Sequence, residues 1–324
     1  MKPFRIAAAL MVTLGISTSA LAAPAQDYPS KTVRLVTTGG PGSSGDILTR
    51  AVARKLSSIW NQPVIVENRV GAGGGIGAGH VFAEPADGHT LLINSSAQAI
   101  SVALHSNLPY DTLKDFIDVA SLAKQPSVLV VGASTGVKSV ADLIALAKAK
   151  PGELNYGSAG LGGATHFSAE KFRLAAGIDA MHIPYLSASA ANLDAAAGRI
   201  TYWLSPISAA LSLIQDRRLL ALGVSTAQRS SILPDVPTIA EAGVPGYDFS
   251  LWFGLWARRG TPGDIVAKIE ADVAKALLDP ELREQFRTQG TEPMIMTSVE
   301  FSRFMRSEVA EATRIVKAAN IPRD

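Results

Sequence analysis

Residues 32–60 read TVRLVTTGGPGSSGDILTRAVARKLSSIW, and three local signals follow one another within them. Thr32 to Thr37 is rich in β-branched residues and predicts a strand. Gly39 to Gly45 is a loop of glycine and serine around Pro41. From about Asp46 to Trp60, Ile47, Leu48, Ala51, Val52 and Leu56 recur at helical spacing and predict an amphipathic helix. A strand running through a glycine loop into a helix is the start of a parallel α/β unit, because parallel neighbours need a crossover and the helix supplies it.

The same order recurs outward. Pro63 to Glu67 and Thr90 to Asn94 predict two more strands, with a second glycine loop from Gly71 to Gly79 between them. Further on, Ser127 to Val131, Leu154 to Ser158, Met181 to Tyr185, Ile200 to Ser205 and Leu219 to Ser225 predict a second sheet. Ser139 opens a helix there with Asp142 three residues on, and another follows the loop at residues 159–163. Two α/β units are therefore expected. The C-terminal part predicts helices: one capped at Thr261 with Pro262 at its first position and stopped by Pro280, and one started by Thr297 and Glu300.

At the other end, Lys2 and Arg5 precede an apolar run from Ile6 to Leu21 that closes on Ala20-Leu21-Ala22. That is the pattern of an export signal over residues 1–22, cleaved after Ala22. A membrane anchor fits less well: the run falls short of the roughly 20 residues a bilayer needs, and Thr13, Ser17, Thr18 and Ser19 interrupt it. Without Lys2 and Arg5 the 30 basic residues become 28 against 28 acidic ones, so the mature chain is formally neutral, which argues against nucleic acid as a partner. The chain has no cysteine, which excludes disulfides, thiol nucleophiles and thiolate metal sites.

The chemistry-bearing candidates are loops that follow strands and open helices. In Gly42-Ser43-Ser44-Gly45-Asp46, glycines let backbone N–H groups approach a ligand, and the helix start favours an anion. Ser158-Ala159-Gly160-Leu161-Gly162, continuing to Thr165 and His166, has the same form in the other unit. Either loop alone reads equally well as a tight turn; two in separate units read better as facing walls of one ligand cleft. Gly73 to Ala78 fits a loose dinucleotide pattern, but no acid follows the next strand at Ile93-Asn94-Ser95-Ser96 to hold a ribose. No G-x-S-x-G, no H-E-x-x-H and no metal-ligand spacing occurs, so neither a catalytic residue, a metal nor a cofactor is assigned. A periplasmic hydrolase would need the missing triad motif.

Several further stretches carry a resemblance: Val66-Glu67-Asn68-Arg69, Ala86-Asp87-Gly88-His89-Thr90-Leu91, Leu108-Pro109-Tyr110-Asp111, Leu154 to Gly160, His182-Ile183-Pro184-Tyr185, Leu233-Pro234-Asp235-Val236-Pro237-Thr238 and Trp252-Phe253-Gly254. In these the whole mature chain resembles the Bug receptors, the extracytoplasmic substrate-binding proteins of the tripartite tricarboxylate transporter type. The resemblance implies an α/β, two-lobed periplasmic-binding-protein fold of type II-like form with the ligand cleft between lobes. Residues 23–125 and 247–324 would form lobe I, and 126–246 lobe II. It implies a periplasmic monomer that holds a small carboxylate mainly by backbone N–H groups of the two loops, closes on it, and presents it to integral-membrane transporter subunits. A sensor handing its liganded form to a signalling partner is the alternative within that class.

The departures from the family pattern bear on specificity. Ser43 stands where a second glycine is usual and Gly39 where an aromatic is usual; Ser187 replaces a common glycine, and Ser205 replaces an acid that would suit an ammonium group. An amino-acid ligand is accordingly disfavoured. Ser187 and Ser205, with Ser95, complete the candidate ligand-binding set. Trp203, two residues before Ser205 on the same strand face, reads as core packing ahead of ligand contact.

Overall fold

The structure, a computed structural model, describes residues 28–105, 107–321 and 323; the expected signal peptide and its cleavage point lie outside the described residues. The elements, in chain order, are β1 (Val33–Thr37), α1 (Ser44–Trp60), β2 (Val64–Asn68), α2 (Gly75–Ala83), β3 (Thr90–Ser95), α3 (Ala97–Leu104) and β4 (Phe116–Gly132). Then come α4 (Val140–Ala149), β5 (Asn155–Ser158), α5 (Ala164–Ala176), β6 (Met181–Pro184), α6 (Ala188–Ala196), β7 (Tyr202–Pro206), α7 (Ile207–Gln215) and β8 (Leu219–Val224). The chain closes with β9 (Ser250–Arg258), α8 (Gly263–Leu277), α9 (Pro280–Arg287), β10 (Glu292–Pro293) and α10 (Ser298–Ala319).

Two groups of strands meet on one long strand. β1 lies between β2 and β3, parallel to both, and β3 continues antiparallel into β9. β5 lies parallel between β6 and β7. β4 joins the groups: Phe116 to Pro126 pair with β9, whereas Ser127 to Val131 pair with β7, and Val128 to Gly132 also pair with β8. The change of partner falls where Pro126 has no N–H to give a ladder. Just beyond it, Ser225 Oγ accepts from the Ser127 N–H at 2.8 Å and donates to the Phe249 carbonyl at 2.6 Å. The Ser225 N–H reaches the Ser127 carbonyl and the Phe249 N–H reaches the Ser225 carbonyl, both at 2.8 Å. Ser225 is fully buried and ties the two connections between the strand groups to each other.

Helices cover both groups. One core joins α1, α8 and α9 to β1, β3 and β9, with Leu35, Val52, Leu56, Leu255 and Ile269 buried within it. A second packs Tyr156, Phe172, Tyr202 and Leu204 beneath α4 and α5. Trp203 is fully buried in a third, its Nε1 donating to Asn192 Oδ1 at 2.9 Å, so it serves packing.

Three local expectations change. The glycine run at 71–79 is a 3₁₀ turn (Ala72–Gly74) leading into α2; Cβ atoms at Gly74 and Gly77 would come 2.6 Å from Asn94 Nδ2 and 2.9 Å from Thr38 Cγ2, so close packing fixes glycine in this stretch. α8 begins one residue later than expected, after Pro262, because the Thr261 hydroxyl donates to the Arg258 carbonyl and is not placed to cap. Pro280 opens α9 behind an Asp279 cap instead of only ending α8. The Thr297–Glu300 capping box of α10 forms as its spacing predicts.

Ser225→Ala should lower stability by about 1–3 kcal/mol, because it orphans the buried Ser127 N–H without removing apolar volume. Urea unfolding of the variant against the parent protein measures this; an unchanged midpoint would show that the seam does not depend on the Ser225 hydroxyl.

Candidate functional site

The first loop is held by its own side chains. Ser43 caps α1 by accepting from the Asp46 N–H at 3.3 Å, and the Ser43 N–H donates to the Gly40 carbonyl. The Asp46 carboxylate accepts from the Gly42 N–H at 2.9 Å, from Asn68 Nδ2 at 2.8 Å and from both arms of the Arg50 guanidinium. Burial alone would push this carboxyl up, but the bonds from Arg50, Asn68 and Gly42 outweigh it and hold it below the usual carboxylate range. Asn68 also donates to the Gly39 carbonyl at 2.8 Å. Asp46 is therefore a brace of the loop, with neither its N–H nor its carboxylate free. The N–H groups of Ser44 and Gly45, in the first turn of α1, find no acceptor among the described residues.

The second loop is braced in the same way. Thr165 Oγ1 accepts from the Ala159 N–H at 2.9 Å, and His166 Nδ1 accepts from the Gly162 N–H at 3.3 Å. That bond places the proton of neutral His166 on Nε2. Ser158 is fully buried; its Oγ lies 2.7 Å from His182 Nε2 and 3.1 Å from the Gly160 carbonyl, and it accepts from the Gly160 N–H at 3.2 Å. The hydroxyl is engaged within the loop and is not an exposed nucleophile. Gly160 and Gly162 have φ of +122° and +72°, which only glycine adopts without strain at the first. The Leu161 N–H and those of Ala164 and Thr165, at the start of α5, have no acceptor among the described residues.

Behind this loop, His166 and His182 stack at 3.9 Å between centroids, with Tyr156 stacked on both. Burial pushes both histidines down to about 4, with Arg173 adding to the effect on His166 and His166 adding to that on His182. Tyr156 bonds Glu170, which Arg173 holds in a two-toothed ion pair.

Contacts run between the surroundings of the two loops. Ser44 Oγ and Ser208 Oγ, the latter in the first turn of α7, are 3.0 Å apart. A Cβ at Gly73 would lie 3.6 Å from the Gly162 carbonyl oxygen, and one at Gly162 would lie 2.7 Å from Leu104 Cδ1. Among the remaining candidates, Ser95 Oγ accepts from the Ala97 N–H at 3.3 Å, and Ser187 is exposed as the cap of α6. Ser205 is buried, its hydroxyl donating to the Pro206 carbonyl. Asn68, His182 and Ser208 were missing from the sequence-derived set. The family-like stretches at residues 66–69 and 182–185 contain the first two, whereas nothing local marks Ser208. Two cavities in the structure lie away from these loops, and no loop residue lines either.

A sequence profile described as the tripartite tricarboxylate transporter family receptor matches residues 48–321. The protein BugT of Bordetella pertussis is 34% identical over 314 residues, which cover 95% of this chain and 96% of BugT. A protein encoded in the tcbD-tcbE intergenic region of a Pseudomonas species is 36% identical over 281 residues, 86% of this chain and 84% of that protein. A solved R. palustris structure with adipate superposes with a TM-score of 0.87 at 34% identity, covering 92% of this chain and all of the other. MatC from Rhodopseudomonas palustris with bound malate gives a TM-score of 0.82 at 28% identity, over 89% of this chain and all of MatC.

The histidine stack generates a pH dependence. Between pH 6.5 and about 4 the unfolded chain takes up protons at His166 and His182 and the folded chain does not, so stability falls as pH falls through that window. The slope is about 1.4 kcal/mol per pH unit for each histidine. His182→Gln, which keeps an acceptor for Ser158, should flatten the decline seen in urea unfolding at pH 7 and pH 5. Equal slopes in the two proteins would assign the decline to other groups.

Proposed function

The chain belongs to the tripartite tricarboxylate transporter receptor family, and on that premise we propose that it captures a small organic acid by its carboxylate, between the loops that open α1 and α5. It is a solute-binding receptor of that family and not an enzyme. The observation that carries the ligand reading is the set of unengaged backbone donors: Ser44 and Gly45 on one side, Leu161, Ala164 and Thr165 on the other. Each set sits at a helix N-terminus, where N–H groups and the helix dipole together favour an anion. Adipate and malate, bound by two relatives of known structure, both carry two carboxylates, which makes dicarboxylates the first candidates. Buried Ser205 offers no acid to an ammonium group, which supports a ligand without one.

The rest of the proposal follows from family membership and from the N-terminal sequence. Residues 1–22 direct export to the periplasm, where the monomer hands its ligand to membrane subunits of a transporter. Residues 23–125 with 247–324, and residues 126–246, act as two lobes. The partner change of β4 at Pro126 and Ser127 supports a boundary there.

Calorimetric titration with mono-, di- and tricarboxylates tests the ligand class, and a chain that binds none of them would sink the reading. Backbone donors can be tested singly, because Ser44 is the first residue of α1 and proline is tolerated there; Ser43 before it has φ −71° and ψ 162°, which a following proline accepts. Ser44→Pro should fold and lose one charge-assisted bond, about 1.5–3 kcal/mol or roughly 10- to 150-fold in affinity. Ser44→Ala, which keeps the N–H, separates this from loss of the hydroxyl. Equal affinity of the two variants would place the carboxylate elsewhere.

A further inference from the structure

A cavity of about 320 Å³ lies where α3, α5 and α10 meet the segment Asp248–Trp252, and none of its lining residues belongs to the two glycine loops. Its volume falls in the range of small-molecule sites. The walls are largely apolar and aromatic, with Phe167, Trp252, Phe304 and Ile315 among them, and the Trp252 and Phe304 rings meet edge-on at 5.2 Å.

The charges on these walls do not balance. Glu311 is neutralised twice, by Lys171 at 3.1 Å and Arg314 at 2.8 Å. Glu308 accepts from Trp252 Nε1 at 2.7 Å, but among the described residues no Lys or Arg forms an ion pair with it; the same holds for Asp248 at the exposed rim. Burial pushes the Glu308 carboxyl above its usual range and the charges of Glu311 and Asp248 add to this, while the Trp252 bond and the more distant charge of Lys171 oppose it without reversing it. A separate observation points the same way: Ser96, which also lines the cavity, is 2% exposed and its Oγ has no hydrogen-bond partner among the described residues. Buried hydroxyls are rarely left so.

We propose that this cavity is a second ligand site, distinct from the carboxylate site, that takes a small organic ammonium with its cation on Glu308 and its apolar body among Phe167, Phe304 and Ile315. An ammonium supplies the missing countercharge and donors, and aromatic walls add cation–π attraction. Lys171 comes from α5 and Glu308 from α10, so an occupant touches elements of both strand groups beside the Ser225 seam.

Calorimetry on the full chain with benzylammonium, and with benzyl alcohol as its neutral counterpart, tests the site. Benzylammonium should bind saturably, and benzyl alcohol at least about tenfold more weakly. Glu308→Gln keeps an acceptor for the Trp252 N–H, and Ala312→Met narrows the cavity while leaving Glu308 in place. Each should weaken benzylammonium by about tenfold or more, with circular dichroism confirming the fold. No saturable binding below about 10 mM, equal affinity for the alcohol, or parental affinity in both folded variants would overturn the proposal.

Discussion

A single strand carries the geometry of this molecule. β4 gives its first half to the group containing β9 and its second half to the group containing β7 and β8, and the exchange occurs within one peptide of Pro126. A strand that changes partners leaves donors and acceptors at the join with no ladder to enter, and in a buried join each must find another partner. Ser225 supplies it: one hydroxyl and two backbone groups close the gap between Ser127 and Phe249. The positions of the α1 and α5 loops depend on this join, because each loop grows from a strand referenced to β4 through its neighbours.

Within the loops the side chains act on the backbone more than on any ligand. Asp46, Thr165, His166 and Ser158 each engage an amide or carbonyl of their own loop, and the amides left over are those of Ser44, Gly45, Ala164 and Thr165 in the first turn of a helix and that of Leu161 just before one. Fixing the loop before a ligand arrives lowers the ordering cost of binding. It also explains how serine is accommodated at position 43: the residue caps α1 through its hydroxyl, a role a glycine there could not fill.

The alternation of strand, loop and helix from Thr32 to Trp60 is plain in the sequence because the apolar spacing changes from one segment to the next. β9 is not, since Leu251 to Ala257 is buried throughout and shows no alternation of apolar and polar residues. α2 is hidden by poor helix formers that tertiary contacts with Asn94 and Thr38 override. In the candidate site the two loops were legible as glycine runs before helices. How the bracing side chains are themselves held was not, because Asn68 bonds Asp46 and the Gly39 carbonyl and His182 meets the Ser158 hydroxyl, both distant in sequence and brought in by the fold.

Among the described residues, the Ser44–Ser208 pair is the one direct polar contact between the two loop surroundings themselves, beside the Lys171–Glu311 ion pair farther along α5. A bond between two neutral hydroxyls contributes about 0.5–1.5 kcal/mol, equivalent to a bias of roughly 2- to 12-fold. If the two sides part and close around a solute as proposed above, a contact that weak adds little to the apposed form, and most of the bias toward it would come from a solute touching both sides. A membrane partner that recognised apposition alone would then engage empty carriers in proportion to that small bias. Under the proposed function, delivery would then draw on the solute's own contribution to holding the halves shut.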